Sequence, residues 1–189
     1  MNLLKWLTFN LRYLCNPPWD TGVTPPEVVD FIRHAPPGRA LDLGAGTGTN
    51  LITLSKAGWQ VTGVEYALLA VLSTLRKMRK NHISASIHLH NVTSLDFLKK
   101  PFDFILDIGC FHSLDIDEKE KYRKNIFRLL EKKGIYLLYS FLLESDEPGT
   151  GITEKDIDLF TEKLTLLSKQ AVSERGFKKA VWLKFKNKL

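Results

Sequence analysis

This sequence predicts a doubly wound α/β fold, with seven strands in a mostly parallel sheet and an antiparallel hairpin at the C-terminus. Three observations carry that prediction. From Arg39 onward, short β-type runs alternate with longer helical patterns, as strands joined by crossover helices do. The first of those strands runs into a glycine-rich turn, "LGAGTG", that opens a helix. The last two β-type runs are separated only by an Arg175-Gly176 turn, too short for a crossover, so they pair antiparallel.

The elements follow in order. The N-terminal "MNLLKWLTFNLRYLC" has apolar positions at Leu3, Leu4, Leu7, Leu11 and Leu14, which suits an amphipathic helix lying over the domain. Lys5, Asn10 and Arg12 break its apolar run and no small-residue cleavage site follows, so neither a leader nor a membrane span is expected. "RALDLGA" is the first strand, and the helix through "TNLITLSKAG" closes at Gly58, a C′ position. "WQVTGVE", rich in β-branched residues, is the second strand, and "YALLAVLSTLRKMRKN" the next helix. "SIHLHN" is the third strand. "FDFILDIGC" is the fourth, its continuous apolar run suiting burial on both faces. The helix "DEKEKYRKNIFRLLEKK" ends at Gly134, and "GIYLLYSFLL" is the fifth strand. A helix around "TEKDIDLFTEK" precedes "LTLLSKQAVSE" and "FKKAVWLKFK", the terminal hairpin.

A chain of 189 residues that is 44% hydrophobic can bury one substantial core, so a single domain is expected. Within it, residues 1–38 form a helical, lid-like covering segment and residues 39–189 the ligand-binding body. The net charge of +6 and pI near 9.3 permit nucleic acid as a partner. The basic stretches "LRKMRKNH" and "FKKAVWLKFKNKL" instead suit a solvated helix face and an edge strand, so nucleic acid is not an expected partner; nor is a membrane, since no segment approaches an uninterrupted span. Cys15 and Cys110 lie far apart without zinc-ligand spacing, so neither a disulfide nor a metal is expected. A cytoplasmic location is the default reading. Whether the chain is a monomer or a homodimer stays open.

"LDLGAGTGTN" carries the chemistry. Gly44, Gly46 and Gly48 allow a tight turn and close backbone approach to a ligand at a helix N-terminus. A pyrophosphate fingerprint would need its third glycine at position 49, which is Thr49, and no Gly-Lys-Ser/Thr follows for a phosphate loop. Asp42 beside the loop would repel a pyrophosphate and attract an ammonium or sulfonium. Glu65, ending the second strand, has the place of a carboxylate that accepts from ribose hydroxyls.

"ALDLGAGTGTN", "VTGVEYA" and "FDFILDIGCFHSL" together resemble the class I S-adenosylmethionine-dependent methyltransferases, whose Rossmann-like seven-stranded sheet also ends in an antiparallel hairpin. The likeness is nearest to the tellurite-resistance and thiopurine or thiol methyltransferases of small molecules, in which a "WDxG…P" segment precedes the glycine loop, as "PPWDTGVTPPE" does here. The resemblance implies S-adenosylmethionine as cofactor and S-adenosylhomocysteine as product. It implies cofactor contacts from Trp19, Asp42, Gly44, Ala45, Gly46, Glu65, Tyr66, Asn91, Val92 and Asp107. Asn91 stands where many relatives have Asp.

"NPPW", at Asn16 to Trp19, spells the tetrapeptide that holds the target nitrogen in amino-group methyltransferases of nucleic acids. There it follows the fourth strand; here that place is taken by "DIGCFHSL", and only about twenty residues separate "NPPW" from the glycine loop. It therefore reads as a turn that delivers Trp19 over the cofactor, whose cation an indole face favours, with a core anchor for the N-terminal helix as the alternative role of that indole. Asp107 would bind the methionine ammonium or orient the acceptor. His112 is the general-base candidate, since imidazole titrates near neutrality; a helix-capping role is its alternative. Cys110 reads as a buried structural thiol.

The expected activity is methyl transfer to a small thiol, other heteroatom or halide-like acceptor. Methylation of RNA or protein, and cofactor binding without catalysis, are the alternatives.

Overall fold

The computed structural model describes residues 3–15, 17–143, 149–173 and 179–188. It resolves into two compact units, residues 1–95 and 96–189.

In the first unit, α1 (Leu3–Leu14) and α2 (Pro26–His34) precede β1 (Arg39–Leu43), α3 (Thr49–Lys56), β2 (Gln60–Glu65), α4 (Leu68–Lys80) and β3 (Ser86–Leu89). The strands lie in the order β3-β2-β1, all parallel, with Asp42 opposite Gly63 and Glu65 opposite Leu89. Leu41, Leu43, Leu51, Leu54 and Val64 are fully buried between sheet and helices. α3 ends with Gly58 in the left-handed region at φ 90°, as its C′ position requires.

In the second unit, β4 (Phe102–Ile108) is followed by a 3-10 turn at Phe111–Ser113, α5 (Ile116–Leu129), β5 (Leu130–Phe141), α6 (Glu154–Thr161), β6 (Leu164–Ser173) and β7 (Lys179–Asn187). The order is β4-β5-β7-β6, with β4 and β5 parallel and β7 antiparallel to both its neighbours. The terminal antiparallel pair is thus present, while the Arg175-Gly176 turn lies outside the described residues. Phe160 centres the core, its ring 5.1 Å from Phe111, 5.4 Å from Tyr136 and 5.5 Å from Phe185.

Three local expectations change. α5 stops at Leu129, five residues before Gly134, and β5 begins at once. The carbonyls of Leu130 and Glu131 are taken by Asn187 Nδ2 at 2.8 and 3.2 Å, a contact with the far end of the chain that helix propensity does not contain. α2 emerges as a helix in its own right, opened by Pro26 at its first position and buried through Val28 and Phe31, one turn apart. On α1, Leu4, Leu7, Leu11 and Leu14 do not form the face laid on the domain. Asn10 does: it is buried, and its Oδ1 accepts from Leu69 N at 3.2 Å.

Candidate functional site

In the first unit, the ligand-facing geometry begins where β1 ends. Gly44, Gly46 and Gly48 all hold left-handed φ, at 69°, 54° and 81°. At Gly48 the space is closed as well, because a Cβ there would come within 2.6 Å of Thr74 Cγ2. The amides of Gly44 and Ala45 both donate to Val64 O, at 2.9 and 3.1 Å, which fastens the turn to β2.

Glu65 ends β2 with its carboxylate folded toward that turn. Gly46 N donates to Oε2 at 2.8 Å, and Tyr66 N and Ala67 N each donate to Oε1 at 2.7 Å. Burial pushes its pKa above the usual carboxylate value, against the pull of the amides of Ala67, Gly46 and Tyr66. A carboxylate offers about four acceptor sites, so three backbone donors leave room for roughly one more. Asp42, on the neighbouring strand, is buried too. Two buried carboxylates at the carboxyl ends of adjacent strands, beside a left-handed glycine turn, suit a cationic ligand bearing a ribose. This donor set fits S-adenosylmethionine.

Beyond β3, Asn91 closes a turn of its own: its Oδ1 accepts from Thr93 N at 2.9 Å and its carbonyl from Ser94 N at 3.0 Å. Val92 is buried beside it.

Trp19 packs on α1. Its indole N–H donates to Tyr13 Oη at 3.3 Å, the rings of Phe9 and Tyr13 meet it edge-on, and the Arg12 guanidinium lies 5.3 Å from its centroid. The indole stays 45% exposed. Asn16 lies outside the described residues, but the rest of the "NPPW" segment forms the expected turn, with Asp20 N donating to Pro17 O at 2.9 Å.

Sequence reasoning missed three residues here. Thr47 Oγ1 donates to Asp20 Oδ1 at 2.7 Å and accepts from Lys77 Nζ at 2.5 Å, tying the segment after Trp19 to the glycine loop and to α4. Tyr13 was also unforeseen: its hydroxyl is 3.3 Å from where a Cβ on Gly46 would stand. The one available signal was a threonine between the loop glycines with an aspartate in the "WDTG" turn.

In the second unit, Asp107 closes β4 and is fully buried. Its Oδ1 accepts from Cys110 N at 2.7 Å, and its Oδ2 from Phe111 N at 3.0 Å and Tyr122 Oη at 2.6 Å. Burial raises its pKa from 3.8 to about 7, opposed by the Tyr122 hydroxyl and the two amides. These bonds shape the turn from Gly109, at φ 83°, through His112. Through these three bonds the carboxylate holds that turn in place.

His112 is buried, stacked on Phe141 at 4.7 Å, and a Cβ on Gly109 would lie 3.2 Å from its Cε1. Phe141 N donates to His112 Nδ1 at 3.2 Å. A backbone N–H can only donate, so Nδ1 accepts and the neutral ring carries its proton on Nε2.

Residues 40–134, half of the chain, match a family model described as "Methyltransferase domain". Among curated proteins, the chain is 25% identical over 122 residues to the probable S-adenosyl-L-methionine-dependent methyltransferase TehB of Haemophilus influenzae, covering 65% of this chain and 42% of TehB. It is 24% identical over 127 residues to 2-heptyl-1-hydroxyquinolin-4(1H)-one methyltransferase of Mycobacteroides abscessus, covering 66% of this chain and 56% of that protein. Among solved structures, TehB from H. influenzae aligns with a TM-score of 0.76 at 19% identity, over 94% of this chain and 66% of that one. The N-methyltransferase NodS of Bradyrhizobium japonicum, in complex with S-adenosyl-L-homocysteine, aligns with a TM-score of 0.80 at 15% identity, over 97% of this chain and 98% of NodS. At such identities the structural likeness shows the fold, and it is the seven-stranded doubly wound fold with a terminal antiparallel pair expected above.

Proposed function

Because the chain belongs to the methyltransferase-domain family, as a class I S-adenosylmethionine-dependent enzyme near the TehB-like group, we propose that it methylates a small molecule at an acidic heteroatom, such as a thiol or an N-hydroxyl. The observation that carries the proposal is the Phe141 N–H bond to His112 Nδ1. It makes His112 a hydrogen-bond donor through Nε2, in place of the general base expected from the sequence. A donor steadies an acceptor that is already anionic, and thiols and N-hydroxyls supply such anions near neutral pH without enzymatic deprotonation. The quinolone relative, named for an N-hydroxylated heteroaromatic, agrees with this class.

When bound, the cofactor supplies a methyl group on a cationic sulfur. The chain's own residues do the rest. Glu65 takes a ribose hydroxyl on its remaining acceptor site while its three backbone donors fix the direction of the carboxylate. Asp42 offers negative charge to the cationic end of the ligand, and the amides of Gly44 to Gly46 hold the turn open. Tyr66, Asn91 and Val92 line the base side. Trp19 serves as a lid, latched through Asp20 and Thr47, and keeps water from the reacting groups. Asp107 is a positioning residue: it fixes the Gly109–His112 turn and so the direction of the imidazole. In-line transfer then depends on orientation and desolvation, which suffice for an ionised acceptor.

The test is calorimetric titration with S-adenosylhomocysteine, followed by turnover on a panel of thiols, N-hydroxy heteroaromatics, phenols and amines. Turnover concentrated in the first two classes supports the reading. Turnover of amines or of protein lysines alone refutes it.

A further inference from the structure

α1 carries Leu4, Leu7, Leu11 and Leu14 at spacings of three, four and three, which places them in one stripe along the helix. They are 75%, 43%, 61% and 67% exposed. The stripe runs beside the α1 contact with α4, where Asn10 accepts from Leu69 N. On α4, Leu68 and Leu72 are also partly exposed, at 37% and 48%. Six leucines of two packed helices therefore remain in water, and an apolar surface of this extent marks a place where something binds.

Charge says what. Lys5 and Arg12 stand on α1 and Arg76, Lys77, Arg79 and Lys80 on α4, and neither helix contains Asp or Glu, although the chain has 21 of them. Leu68, Leu72, Arg76 and Arg79 share one α4 face by helical spacing, and Arg76, Arg79 and Lys80 are exposed.

We propose that α1 and α4 together dock on an anionic lipid surface, the leucines entering the boundary between headgroups and acyl chains and the arginines and Lys80 meeting lipid phosphates. A second copy of this chain fits the face less well. A two-fold contact would set the same cations against one another. Docking is distinct from spanning: no helix among the described residues is long and apolar enough to cross a membrane. The proposal stands apart from the choice of methyl acceptor.

The test is co-sedimentation of the full chain with phosphatidylcholine vesicles, alone or containing about a third phosphatidylglycerol, at low and high salt, beside sedimentation velocity without lipid. The expected result is pelleting with the anionic vesicles only, weakened by salt. Two variants at exposed positions, L4Q/L11Q and R76Q/R79Q, should each lower the partition about tenfold while circular dichroism and melting stay unchanged. The proposal is overturned by an absence of pelleting on anionic vesicles, or by equal pelleting of L4Q/L11Q. A dimer in solution that L4Q/L11Q dissociates also overturns it, making the face an interface between copies.

Discussion

The Thr47 hydroxyl donates to Asp20 Oδ1 at 2.7 Å while accepting from Lys77 Nζ, so a single side chain of the glycine loop holds the turn that follows Trp19. A hydrogen bond to a charged group contributes about 1.5–3 kcal/mol when intact. Thr47→Val removes the hydroxyl at nearly constant volume, and in the lid reading it frees that turn. Affinity for S-adenosylhomocysteine should fall about tenfold by calorimetry, or about 1.4 kcal/mol, and Thr47→Ser should restore most of it. Equal affinity in all three proteins would detach the segment from the cofactor site.

Gly48 combines left-handed φ with contact against Thr74, so Gly48→Ala meets two penalties. Left-handed backbone costs a residue with Cβ about 1–2 kcal/mol, and the clash with Thr74 Cγ2 adds to it. Thr74→Ser deletes that methyl and keeps the hydroxyl that donates to Gly46 O and Ala70 O, both at 3.0 Å. In urea denaturation the double variant should therefore recover part of the steric share, since Oγ1 and Cβ at position 74 still stand 3.0 and 3.1 Å from the added methyl, and keep the backbone share. Full recovery, or none, would show that only one of the two penalties operates.

What the sequence revealed and what it hid divide along one physical line. β1, β2 and β4 were legible because β-branched and apolar runs are local signals, and Gly44, Gly46 and Glu65 because their spacing follows from strand and turn geometry. Thr47 and Asp20 lie 27 residues apart and His112 and Phe141 29 apart, so neither bond leaves a local trace. The second of these decides the ring's tautomer, which residue identity cannot. The α1 leucines failed differently: helical periodicity finds a stripe, but Asn10, a polar residue, makes the contact with α4. α5 ended early where the carbonyls of Leu130 and Glu131, the first residues of β5, accept from Asn187, 57 and 56 residues away.

The tautomer of His112 has a kinetic consequence. As a donor through Nε2, the ring gives kcat/KM no proton-accepting limb of its own, so the pH–rate profile for a thiol should follow the ionisation of that thiol. His112→Gln, which keeps an N–H donor, should retain roughly a tenth or more of the activity, and His112→Ala should lose about a hundredfold. Both profiles should keep the wild-type shape. A limb near pH 6.5 that tracks the enzyme rather than the thiol, and vanishes in both variants, would reinstate the base.

Asp107 makes stability depend on pH in a direction opposite to that of an ordinary carboxylate. Burial raises its pKa from 3.8 to about 7, so the folded state holds a proton that the unfolded chain releases. The stability it contributes is complete below about pH 4 and is lost as pH rises toward 7. Asp107→Asn is neutral throughout, keeps one acceptor oxygen for the amides of Cys110 and Phe111, and carries no such dependence. Urea denaturation of both proteins at pH 5 and pH 8 isolates the effect, since every other titrating group is common to them. The advantage of wild type over variant should shrink between the two pH values by on the order of 1–3 kcal/mol. If it grows instead, Asp107 is ionised in the fold, and the hydrogen bonds from Tyr122, Cys110 and Phe111 outweigh its burial.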